Sequence, residues 1–175
     1  MQHFLTRPMK IFPIKNYTFR LINESSETIA ELEKNTLITE SLTSQYTNKA
    51  FIGKISGNEF RVITSEPKSG VFCVLEGKLE NKTGTIEITI HKTFQVLLIL
   101  IFMFPIIGFI ISLFTQETRL SISLIIPTLM SVLIFRFVFI ELAFRIISNN
   151  GLTKLCEIIQ ITDLKRTVQS KKRLS

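Results

Sequence analysis

TIEITIHKTFQVLLILIFMFPIIGFIISLF, residues 85–114, changes its period halfway along. In its first part Ile86, Ile88 and Ile90 point one way, and Glu87, Thr89 and His91 point the other. That period of two is what a half-buried strand requires. From Phe94 to Phe114 the alternation stops, and 21 residues pass without a charge. A helix over that stretch, rising 1.5 Å per residue, reaches about 30 Å, the thickness of a bilayer's hydrocarbon core. Sixteen of the 21 are Ile, Leu, Phe or Val, each favouring insertion by about 0.3–0.6 kcal/mol near a helix centre. The stretch predicts a strand that feeds directly into a membrane-spanning helix, and so a membrane α+β fold.

A second apolar segment, LSISLIIPTLMSVLIFRFVFI, covers 120–140. The short TQETR between the two makes them an antiparallel hairpin. Pro105 and Pro127 would damage a soluble helix interior but are tolerated in spanning helices, where they kink the chain. Small residues recur along both segments, and Gly108, Ser112, Ser123 and Pro127 are the expected helix-packing positions, Gly108 level with Pro127 and Ser112 with Ser123. Between Thr93 and Ile140 the only ionisable residues are Glu117, Arg119 and Arg136. Leu120 to Phe135 already supplies about 24 Å of helix, which places Arg136 near the edge of the bilayer, its stem apolar and its guanidinium at the headgroups. Lys92, Arg136 and Arg145 are the expected interface residues, and Glu141 and Arg145, four apart, can pair.

The flanks carry almost all the charge, and the net charge is +7. Lys78, Lys82 and Lys92 precede the hairpin and Arg145 and Lys154 follow it, whereas its turn has Arg119 balanced by Glu117. The positive-inside rule then puts both termini in the cytoplasm, and the expected location is the cell's inner (plasma) membrane. The start, MQHFLTRPMKIFPIK, lacks the apolar core of a signal peptide, so insertion is expected to be driven by the internal segments. Cys73 and Cys156 have no pairing or metal spacing and read as two buried thiols in a reducing compartment.

Three regions follow: 1–92, a cytoplasmic strand-helix-sheet module; 93–141, the hairpin; and 142–175, an amphipathic helix and a basic tail. In the first, VFCVLEGKLE puts Val71, Cys73, Leu75, Gly77 and Leu79 on one face. AFIGKI and EFRVIT flank the turn Ser56-Gly57-Asn58. An antiparallel sheet of about four to five strands is expected, with 10–22 contributing one of them. Ser25 is expected to cap a short helix running to about Asn35, and 36–48 shows no period. After the hairpin Asn149-Asn150-Gly151 is expected to break the long helix. Leu152, Leu155, Ile158, Ile159 and Leu164 then recur at helical spacing, as a terminal helix lying on the sheet or on the bilayer.

Phe51-Ile52-Gly53-Lys54-Ile55, Phe60-Arg61-Val62, Leu75-Glu76-Gly77-Lys78-Leu79 and Gly84-Thr85-Ile86-Glu87-Ile88, in this order of elements, resemble an uncharacterised family of small bacterial membrane proteins. That family has two transmembrane helices and a cytoplasmic β-rich module. Where its members usually carry an Asn-Ser pair and a proline, this chain has Ser69, Gly70 and Cys73. The resemblance implies the fold and the location, and no activity.

The sequence holds no HExxH, paired CxxC, P-loop or GxGxxG before a helix, and His3 and His91 have no ligand-spaced partner. No catalytic residue, metal ligand or cofactor is predicted. The tail carries Lys165, Arg166, Lys171, Lys172 and Arg173 with no acid after Asp163. It lacks the interleaved aromatics of a nucleic-acid patch, and its tether to a bilayer favours anionic headgroups, at about 1 kcal/mol per basic residue. The expected role is non-enzymatic, through contacts with lipids, a protein partner or a second copy. The alternative is a membrane-tethered domain that holds a small apolar molecule or lipid between sheet and helix, like a helix-grip fold.

Overall fold

The computed structural model describes residues 12–43, 45–66, 70–115 and 118–167. β1 (Lys15–Leu21) leads to α1 (Ser25–Lys34), then to β2 (Thr36–Ile38), β3 (Phe51–Ser56) and β4 (Glu59–Thr64). A 3-10 turn (Gly70–Phe72) precedes β5 (Cys73–Glu80) and β6 (Thr83–Ile90). α2 (Lys92–Thr115) and α3 (Thr118–Ile134) are the apolar helices. A π-helical stretch (Phe135–Ile140) joins α3 to α4 (Glu141–Ile159), and β7 (Ile161–Arg166) closes the described fold.

The strands make one seven-stranded sheet in the order β2-β3-β4-β5-β6-β1-β7. It is larger than the sequence predicts, for two local reasons. β2 has only three residues, too few to show a period, and it runs parallel to β3, pairing Thr36 with Phe51. β7 lies where helical spacing pointed to more helix. Gln160 ends α4 in the left-handed conformation, at φ 49°, and turns the chain back to pair antiparallel with β1. Leu164 therefore belongs to an edge strand. The start of α1 also differs: Glu24 occupies the cap position, Ser25 is the first helical residue, and no side chain caps it.

α1 and α4 cover one face of the sheet. The core between them and the strands includes Phe19, Leu32, Phe51, Val62, Leu75, Ile88, Phe144 and Leu155, all buried. The predicted break at Asn149-Asn150-Gly151 is absent, and the helix runs through it. A glycine costs a helix interior about 1 kcal/mol, but here it allows close approach. A Cβ on Gly151 would stand 3.3 Å from both Leu75 and Thr64, so burial of α4 on β4 and β5 outweighs the weak local propensity.

The opposite face is open over most of its area. Near β3–β5 it has a small cluster of its own, Ile52, Ile63 and Val74, packed by Leu37, Leu42 and Val71. Val71 thus joins the face opposite Cys73 and Leu75, because the 3-10 turn breaks the alternation before β5 begins.

Candidate functional site

β6 ends at Ile90, and α2 begins at Lys92. The same end of the sheet holds the first residue of β1, since Lys15 pairs with Ile88. It also holds the last residue of β7, since Arg166 pairs with Tyr17. The helical hairpin, the entry to β1 and the exit from β7 therefore meet at one place, called here the hairpin end.

His91 supplies the local start of α2. Its Nδ1 accepts a hydrogen bond from the Thr93 N–H at 3.3 Å, while the Gln95 side chain donates to the Ile90 carbonyl at 2.7 Å. An N-terminal cap satisfies donors that the helix itself cannot. Burial, and then the charge of Arg61, hold the His91 pKa below its ordinary value, so the imidazole stays neutral and able to accept.

α2 and the helix from Ile125 to Ile159 are each long and apolar enough to cross a membrane, and the most apolar stretch of each is almost bare, whereas the α4 end of the second is buried on the sheet. Phe104 is 81 % exposed and Phe114 87 %. The two helices touch through Phe102 and Phe135, edge to face at 5.6 Å, with a groove of about 420 Å³ beside Pro105 and Ser131. The close approach expected at Gly108 is not made: a Cβ there meets nothing within 4 Å, and Pro127 is exposed. At the level of Phe102 the contact between the helices is ring against ring. The side chains of Ser112 and Ser123 lie outside the described residues.

Arg136 sits in the π-helical stretch, half-buried, its guanidinium 5.5 Å from the Phe137 ring centre. Among the described residues neither Glu141 nor Arg145 forms an ion pair, so the expected salt bridge is not closed. Lys92 and Arg145 are both exposed at the hairpin end. The pairing of β7 with β1 separates Lys165 from Arg166: Lys165 stands opposite Thr18 on the open face, and Arg166 opposite Tyr17 on the helix-covered face. Lys171, Lys172 and Arg173 lie outside the described residues.

Sequence reasoning missed Lys15. It is 7 % exposed, and its ammonium donates to Ser148 Oγ at 2.6 Å and to Asn149 Oδ1 at 3.0 Å, lying 5.4 Å from the Phe144 ring centre. Burial lowers its pKa first, then the charge of Arg166; Cys73 and Glu141 oppose them, and Arg145 adds the smallest push downward. The signal was present in the alternation of β1. Lys15, Tyr17, Phe19 and Leu21 share the inward face, and a charge at an inward position requires an explanation.

On the open face the strands form a trough of about 630 Å³, lined among others by Thr18, Arg61, Glu76, Lys78, Thr85 and Glu87. Its charges largely neutralise one another: Arg61 pairs with Glu76 at 2.9 Å, and Lys78 with Glu59 at 3.9 Å. Among the described residues no three of His, Cys, Asp and Glu gather as a metal site would need. No protein-family model matches this chain, and no curated protein or solved structure is significantly similar to it.

Proposed function

We propose that this is a two-pass integral protein of the plasma membrane, with both termini and the sheet module in the cytoplasm. Its role is non-enzymatic, carried by contacts of the module with lipid headgroups or a partner protein. One observation carries the reading: two bare apolar helices run without a break into the module, one from β6 and one into α4. An apolar surface that large has no stable place in water. The uninterrupted helix makes the module a rigid extension of the hairpin, held against the headgroups.

The excess of basic residues on the module side supports the orientation. The register of β7 supports lipid contact, because it delivers Arg166 to the hairpin end. The filled helix–sheet interface weighs against the ligand-holding alternative. Phe144, Leu155 and Leu75 are 0–1 % exposed there, where a helix-grip site would need space.

Alkaline carbonate extraction and a reporter at Glu117 test this proposal. The chain is expected to stay in the membrane pellet and the reporter to face away from the cytoplasm. Release by carbonate, or a cytoplasmic reporter signal, overturns it.

A further inference from the structure

A buried ammonium needs a counter-charge, and among the described residues no carboxylate is bonded to Lys15. Its two partners, Ser148 and Asn149, are neutral, and among the described residues Lys15, Arg145 and Arg166 form no ion pair. Two further cations, both exposed, stand at the same end of the sheet. Arg166 lies on the same sheet face as Lys15, opposite Tyr17, two residues along β1. Arg145 lies one helical turn before Asn149 on α4, and its carbonyl accepts a bond from Ser148 Oγ at 3.3 Å. Glu141 is the nearby acid, a further turn toward the hairpin. A charge buried without compensation costs several kcal/mol; Arg166 adds to that cost at Lys15, while Glu141 offsets the smaller push of Arg145.

We propose that Lys15, Arg145 and Arg166 form a binding site for one phosphate group, that of an anionic lipid headgroup at the hairpin end of the sheet. Phosphate suits the set. Arginine offers a planar fork that can bond two of its oxygens, and lysine adds a point charge. The two neutral acceptors use two of the three ammonium protons, which leaves one for the ligand. The site joins three parts of the chain, β1, α4 and β7, so a bound phosphate ties the last strand to the helix that leaves the membrane. The lipid source rests on the membrane reading above; the phosphate chemistry does not.

The full chain, in phosphatidylcholine nanodiscs, is titrated with increasing phosphatidylglycerol while thermal unfolding is followed. Separately, inorganic phosphate is added to the protein in neutral detergent. Phosphatidylglycerol is expected to raise the melting temperature. Lys15→Met, Arg145→Gln and Arg166→Gln are each expected to weaken that response at least tenfold in half-saturating lipid. Lys82→Gln removes one charge from the far end of the sheet and is expected to leave the response unchanged. An equal response in all four variants means diffuse surface charge, and overturns the site. Protection by inorganic phosphate that the three variants lose, with none from phosphatidylglycerol, keeps the site and overturns the lipid source. Release of the chain by carbonate overturns the membrane reading but not the phosphate arm.

Discussion

Phe60 on β4 lies over Gly77 on the neighbouring β5. The two are paired across the strands, and a Cβ on Gly77 would stand 2.2 Å from the tip of the Phe60 ring. The same arrangement recurs at Phe19 and Gly84, where the separation would be 2.3 Å. In both, the ring fills the space of the missing side chain and covers backbone that glycine leaves bare. Phe60 is 3 % exposed and Phe19 also 3 %, so neither ring can swing into solvent without opening the core. Gly77→Ala is therefore expected to destabilise the module by about 1–3 kcal/mol, read as a lower unfolding midpoint. Phe60→Leu in the same background should recover part of the loss by making room for the methyl group, and no recovery would refute the packing explanation.

The Lys15–Ser148 bond gives opposite signs for its two ends. Ser148→Ala removes an acceptor from a buried ammonium and should cost about 1–3 kcal/mol. Lys15→Met removes the charge itself, keeps an unbranched apolar stem, and should be neutral or stabilising by about 1–4 kcal/mol in neutral lipid. Thermal unfolding of both variants in phosphatidylcholine checks the pair. A large loss in Lys15→Met would show that the native ammonium is well compensated without a ligand.

His91 makes the start of α2 sensitive to acid. Its folded pKa lies below the ordinary value, which is about 6.5. Between the two the unfolded chain binds more protons, so stability is full above about 6.5 and falls as the pH drops toward the folded value. Protonation also removes the acceptor and sets a positive charge at the positive end of the helix. His91→Asn should keep the cap and flatten this acid limb, whereas His91→Ala should lose about 1 kcal/mol at neutral pH. Unfolding midpoints between pH 5 and 8 separate the two.

Both cysteines are free. Cys73 is 2 % exposed, and burial pushes its pKa up to about 12, so its thiolate is scarce at neutral pH. Cys156, half-buried on the edge of α4, is raised in the same direction. A maleimide at pH 7 is expected to label Cys156 slowly and Cys73 only after unfolding. Peptide mapping of the labelled protein reads this directly, and early labelling of Cys73 would mean that β5 opens locally.

Continuous apolar runs and strict alternation are local properties, and they specified the two apolar helices and the strands β3 to β6 from the residues alone. In 94–114 the free energy of leaving water dominates every other term. In Thr83–Ile90 the period of two leaves one arrangement with the isoleucines inside. Lys15 was legible as a charge on an apolar face, though its partners were not, because Ser148 and Asn149 are more than 130 residues away.

Tertiary contacts decided the rest. Gly151 remains helical because α4 gains burial against Leu75 and Thr64, which local propensity does not count. β7 is a strand because β1 presents an unpaired edge to it, and its register then parts Lys165 from Arg166. Gly108 lies open, and Phe102 and Phe135 make the ring contact between the helices instead. Sequence determined where apolar surface must leave water; the pairing of distant segments determined which charges meet.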